Sequence, residues 1–187
     1  MRRSQGFSLI EILVVLFVIV VIAGIVSLNV NTGAGNAVVE ESLNRLRAVA
    51  EYARDEAQFR GQDFGVLFVV DESAGGEPVL VAHWRMRTLI GWRSMTDEEA
   101  FAAITFPEAI DAELTLDGLD GIFEEAAAAQ GNSNVAPQWQ LLSSGETQTG
   151  ELMIRDSASG DLLWRLEWDA LGRMQMFQGD DLDRDAA

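Results

Sequence analysis

Three residues near the N-terminus carry the chemistry that this sequence has the means to do. Gly6 and Phe7 meet where a short basic leader, Met1-Arg2-Arg3-Ser4-Gln5-Gly6, gives way to a long apolar run, and Glu11 is the only charge from Phe7 to Val30. A scissile peptide must extend into a protease, and glycine opposes that extension least. A carboxylate inside a bilayer costs about 2.5–3.5 kcal/mol on insertion scales and persists only with a partner. Cleavage between Gly6 and Phe7 would create such a partner, a free amine at Phe7 of the same chain or of a neighbour. If a protease cuts there, the chemistry is done to the chain and charge pairing follows, with no substrate turned over.

The other candidate groups fit catalysis poorly. His83 is the only histidine and there is no cysteine, so thiol catalysis and sulfur-ligated metals are excluded and a zinc site would rest on His83 and carboxylates alone. A serine hydrolase would need His83 as base, yet no Gly-x-Ser-x-Gly elbow occurs, and Ser144-Gly145 and Ser159-Gly160 read as turns. Asp181, Asp183 and Asp185 alternate as calcium ligands do. They lack the sixth-position glycine and closing Glu of an EF-hand, and Arg184 stands among them, so a solvated acidic tail is the preferred reading. No cofactor motif is found.

The element that must position Glu11 is the apolar run itself. At about 1.5 Å per helical residue, residues 7–30 span roughly the ~30 Å hydrocarbon core of a bilayer. The basic leader keeps the N-terminus cytoplasmic and sends the rest of the chain outward. A secretory signal would carry an Ala-x-Ala-like site after its apolar core; here the small residue lies before it, so cleavage at Gly6 keeps the helix.

Gly6-Phe7-Ser8-Leu9-Ile10-Glu11 resembles the class III signal of type IV pilins and of the pseudopilins of type II secretion at every position of that signature. The resemblance implies that a prepilin peptidase cuts after Gly6 and methylates Phe7. Glu11 would then be the fifth residue of the mature chain.

The remainder of the 187 residues, 48% hydrophobic overall, suffices for one modest globular domain. Beyond Val30 there are 11 Arg against 29 Asp plus Glu, and no lysine anywhere. Such an acidic body repels phosphate backbones, which argues against nucleic-acid binding.

The chain is read in order as a cleaved leader (1–6), a transmembrane and assembly helix (7–30), and a flexible joint (31–36) where Gly33 and Gly35 weaken or break the helix. An amphipathic helix follows (37–60), with Val39, Leu43, Leu46, Val49, Ala50, Ala53 and Ala57 on one stripe and Gly61 at its C′ position. Residues 61–179 form a β-rich domain, and 180–187 an acidic tail. Strands are predicted at Phe64–Val70, Val79–Arg87, Ala112–Leu116, Gln138–Leu142, Glu151–Arg155, Leu162–Trp168 and Arg173–Phe177. A short helix is predicted from Asp97 to Ile104, and 117–137 reads as a long loop suited to variable partner contacts. The fold class is α+β, a long N-terminal helix packed on an antiparallel sheet or two-sheet sandwich.

A helix leading into Arg60-Gly61-Gln62-Asp63-Phe64-Gly65-Val66, then Leu142-Ser143-Ser144-Gly145-Glu146 and Trp164-Arg165-Leu166-Glu167-Trp168-Asp169, is similar to the H-type minor pseudopilins. That likeness implies a structural subunit, not an enzyme, anchored in the bacterial inner membrane with a periplasmic body. It implies co-assembly with major and minor pseudopilins into a short fibre that supports protein export, with secretion cargo or a secretin as further contacts. The alternative is a minor pilin of a type IV pilus, used in adhesion, twitching or DNA uptake.

Overall fold

The computed structural model describes residues 9–72, 78–95, 98–125 and 134–179, without the side chains of residues 9–11 and 21–34. One helix, α1 (Leu9–Arg60), opens the order. Eleven strands follow among the described residues: β1 (Phe64–Asp71), β2 (Val79–Thr88), β3 (Gly91–Ser94), β4 (Ile104–Thr105), β5 (Ile110–Leu116), β6 (Leu119–Asp120), β7 (Glu124–Glu125), β8 (Trp139–Leu141), β9 (Gly150–Asp156), β10 (Leu162–Trp168) and β11 (Met174–Gln178). The chain divides into two compact units, residues 1–37 and 38–187.

Residues 31–36 are helical within α1, and the boundary between the units falls just past them, between Ala37 and Val38. The helix is therefore not broken at Gly33 and Gly35. Each helical glycine costs only about 1 kcal/mol relative to alanine, which good helix formers on either side can offset.

In the second unit the stripe on α1 sits where its three-and-four spacing demands. Val39, Leu43, Leu46, Ala50, Ala53 and Ala57 are all fully buried, while Glu40, Glu41, Arg45 and Glu51 face solvent. Burying each of the larger side chains contributes roughly 1.5–3 kcal/mol. The alanines let strands approach the helix closely. At the C-terminus the chain turns through Gly61 at φ 62°, and the Gln62 N–H donates to the Ala57 carbonyl at 3.2 Å. This is the bond of a Schellman cap, and it needs the left-handed conformation that glycine adopts without Cβ strain.

Two sheets receive the helix. The first runs β3-β2-β1-β7, with β4 also paired to β2 and β8 to β1; the second runs β11-β10-β9-β5-β6. The β1–β7 pairing is parallel, and the other named pairings are antiparallel. β1 is buried on both faces: Phe64, Val66 and Phe68 join the main core, while Leu67 and Val69 form a second cluster with Val81, covered in part by Ala103 and Val135. The second sheet contributes Leu114, Leu152, Ile154, Leu166 and Trp168 to the main core. Trp139 of β8 and Trp168 of β10 stack at 4.1 Å between ring centroids and so tie the two sheets together. Gly150 makes room for this stack, since a Cβ there would stand 2.6 Å from Trp168 Cζ2 and 2.7 Å from the Thr115 carbonyl oxygen.

All seven predicted strands are present. The short helix predicted from Asp97 to Ile104 is instead a single 3₁₀ turn, Glu99–Phe101, followed by β4; Thr96 and Asp97 lie outside the described residues. Tertiary packing prevails there over local propensity. Phe101 is drawn into the core against Tyr52, Phe64 and Trp84, and Ile104 pairs with Ala82. The predicted loop 117–137 contains β6 and β7, and its alanine run at 126–129 falls outside the described residues.

Candidate functional site

The N-terminal residues singled out by the sequence are only partly described. Gly6 and Phe7 lie outside the described residues, and Glu11 sits in the first turn of α1 with its side chain undescribed. The next nine residues carry the clearest signal. From Ile12 to Val20 every side chain is apolar, and every one is between 46% and 68% exposed. A helix apolar on all sides has no water-facing side, so such a surface must be covered by lipid or by other helices. Among the described residues no helix is long and apolar enough to cross a membrane. At about 1.5 Å per residue, the stretch from Ile12 to Val20 accounts for roughly 14 Å, less than half of a hydrocarbon core.

Of the remaining candidates, His83 and the two Ser-Gly pairs lie among the described residues. His83 lies in β2 opposite Leu67 and is half-buried. Burial, and next the nearby Arg85 guanidinium, push its imidazole pKa below the ordinary value, with Asp71 opposing in part. A histidine so held is neutral at pH 7, as a packed side chain should be. Among the described residues no group of three or more His, Asp or Glu is placed to hold a metal ion. Asp181, Asp183 and Asp185 lie outside the described residues.

Gly145 and Gly160 have φ values of 91° and 76°, so both Ser-Gly pairs are turns. Asp156 holds the second by accepting from the Ser159 and Ala158 N–H groups, and those bonds lower its pKa, the one from Ser159 most. Asp169 organises the next turn. It accepts from the N–H groups of Leu171 and Arg173 and pairs with the Arg173 guanidinium at 2.6 Å. Its pKa is lowered first by the Arg173 N–H and then by that guanidinium.

Two features escaped sequence reading. The first is the polar lock behind the tryptophan stack: Thr147 Oγ1 accepts from Trp139 Nε1 at 2.9 Å and donates to the Gln140 carbonyl at 2.6 Å. Nothing in local pattern marks a threonine in a loop as the partner of a buried indole. The second is the β2–β3 hairpin, whose tip residues Leu89 and Ile90 are fully exposed beside a cavity of about 580 Å³. An aliphatic pair at a turn just before Gly91 was the available signal.

A leader-and-helix N-terminus joined to a helix packed on antiparallel sheets defines a pilin-like subunit. Residues 1–27 match the prokaryotic N-terminal methylation motif. Residues 42–172 match the type II transport protein GspH family, and the chain belongs to that family, the H-type minor pseudopilins of type II secretion. Among curated proteins no sequence matches it significantly.

Solved structures agree on the fold. The minor pseudopilin EpsH of the Vibrio cholerae type 2 secretion system superposes with a TM-score of 0.58 at 22% identity, covering 78% of this chain and 99% of that one. A crystal structure of the same V. cholerae pseudopilin gives 0.56 at 21%, covering 76% and 96%. The solution structure of Escherichia coli GspH gives 0.56 at 17%, covering 79% and 93%. Membership implies assembly with other pseudopilins and processing by a prepilin peptidase, and the family is one of structural subunits.

Proposed function

We propose that the chain is cut between Gly6 and Phe7 and methylated at Phe7, and that residues 7–30 hold it in the inner membrane with the N-terminus cytoplasmic and the body periplasmic. From there it packs as a minor subunit into a short periplasmic pseudopilus, at or near its tip, supporting export of folded proteins across the outer membrane. The glycine-bearing stretch 31–36 serves as the joint between anchor and body. The observation that carries this reading is the run Ile12–Val20, apolar at every position and exposed along its length. Lipid covers it before assembly and neighbouring helices cover it afterwards, through van der Waals packing. Glu11 supplies register: one carboxylate in an apolar bundle is satisfied only where a neighbour's amine meets it.

The test separates processing from assembly. Gly6→Leu should leave the leader attached, and mass spectrometry finding a mature terminus at Phe7 in that variant would overturn the cleavage assignment. Glu11→Ala should insert and be processed normally yet be recovered poorly in sheared or cross-linked fibres. Normal co-assembly of Glu11→Ala would remove the pairing role.

A further inference from the structure

A cleft of about 580 Å³ opens beside the point where α1 gives way to β1. Met86, Leu89, Ile90 and Trp92 form its apolar walls, with Arg93 and Gln62 among them. Ligand pockets have volumes of roughly 300–1,000 Å³ and the same make-up, mostly apolar walls and a few polar groups that converge. Leu89 and Ile90 make the turn between β2 and β3 and are 107% and 92% exposed, at positions where turns ordinarily carry glycine or polar residues.

The cleft is built to keep its shape. Thr88 Oγ1 donates to the Gly91 carbonyl at 2.7 Å, and the Trp92 N–H donates to Asn134 Oδ1 at 2.9 Å. Gly91 lets Asn134 come this close, because a Cβ there would collide with the Asn134 side chain. A tip already fixed in this way loses little freedom when something docks on it.

Its charge runs against that of the rest of the chain. From Val79 to Thr96 there is no Asp or Glu, while Arg85, Arg87 and Arg93 fall within the stretch. Arg87 and Arg93 face solvent, and among the described residues neither has an ion-pair partner. The Arg87 guanidinium rests 5.4 Å from the centre of the Trp92 ring. The Asp63 carboxylate, next to Gln62, accepts from the Ser143 N–H at 2.8 Å.

We infer that this cleft receives an acidic segment of a different pseudopilin, a bulky apolar side chain entering between Leu89, Ile90 and Trp92 while flanking carboxylates meet Arg87 and Arg93. The position of the cleft selects the source. It lies at the Arg60 end of α1, roughly 33 Å along the helix from Val38, where the second unit begins. With the helix leading out of the membrane, as proposed above, that end faces the subunit lying outward in the fibre. The inference rests on that reading, in which this chain is one subunit among several kinds. A contact of this size is weak alone and gains strength between subunits already held together by their helices, since tethering raises effective concentration.

The test places a photo-reactive benzophenone side chain at Leu89 of the full chain, in cells that carry the whole secretion apparatus. Irradiation should yield an adduct with a pseudopilin other than this one, identified by mass spectrometry, at a segment where carboxylates flank a bulky apolar residue. The same probe at Ser159, in an exposed turn of the second sheet, should give that adduct at a clearly lower yield. Arg87→Glu with Arg93→Glu should lower the Leu89 yield roughly threefold to tenfold, the worth of two exposed charge pairs, while Arg87→Lys with Arg93→Lys should keep most of it. An adduct formed only with a second copy, with lipid or with an exported protein overturns the inference, as does a yield that the charge reversal leaves unchanged. A chain that loses its leader and is recovered in fibres, yet gives no such adduct, sinks the inference alone. A chain missing from fibres sinks the proposed role with it.

Discussion

The substitution Thr147→Val isolates the polar lock that joins the two sheets. Thr147 is 7% exposed and Trp139 is fully buried, and valine reproduces the volume of threonine without its hydroxyl. The substitution leaves the Trp139 indole N–H without an acceptor and withdraws a donor from the Gln140 carbonyl. An orphaned buried donor costs about 1–3 kcal/mol, so a loss of roughly 2 kcal/mol is expected, about a thirtyfold change in the folding equilibrium. Trp139→Phe removes the donor itself and has a separate cost from the weakened stack on Trp168. Once the indole N–H is gone, Thr147→Val no longer strands it. The double variant should therefore lose less than the sum of the singles, by about 1 kcal/mol. Urea unfolding of the full chain in micelles, followed by tryptophan fluorescence and by near-ultraviolet dichroism from the stacked pair, measures all three. Additive losses, or a Thr147→Val variant as stable as the parent, would refute the lock.

Further outcomes follow from the caps and turns. Gly61→Ala places a Cβ in the left-handed conformation at φ 62° and should destabilise by about 1 kcal/mol, read as a lower urea midpoint at unchanged slope. The cost should come from φ and not from crowding, because the space around Gly61 is open. Asp169→Asn tests the turn before β11. The Asp169 pKa is lowered by folding, so its stabilisation is present above the unfolded value near 3.8 and is lost as pH falls through the lower folded value. The melting temperature of the variant should lie below the parent at pH 7, and the gap should close as pH falls through the lowered Asp169 pKa.

Much of the body was legible from spacing. The three-and-four repeat from Val39 to Ala57 names the buried stripe of α1 residue by residue, because a helix in contact with a core on one side permits few other patterns. Phe64–Val70, apolar at nearly every position, reads as a strand buried on both faces, and the structure covers it with α1 on one side and the Val135 segment on the other. Short segments were less legible. β3, β4, β6 and β7 have two to four residues each, too few for a period to register, and they exist because a neighbouring strand supplies their hydrogen bonds. The 3₁₀ turn at Glu99–Phe101 likewise owes its form to the cavity that Phe101 fills.

By itself the sequence determined that this chain has a processing signature at Gly6-Phe7, a lone acid at Glu11, an apolar run long enough for a bilayer, and an α+β body. Those are local properties, set by residue type and by periods of 2 and 3.6, and they survive without knowledge of what touches what. Only the tertiary structure decided which strands share a sheet and that Trp139 stacks on Trp168 with Thr147 behind it. These depend on residues far apart in the chain, and their placement follows from closing one core around one helix, a condition that no single stretch of sequence contains.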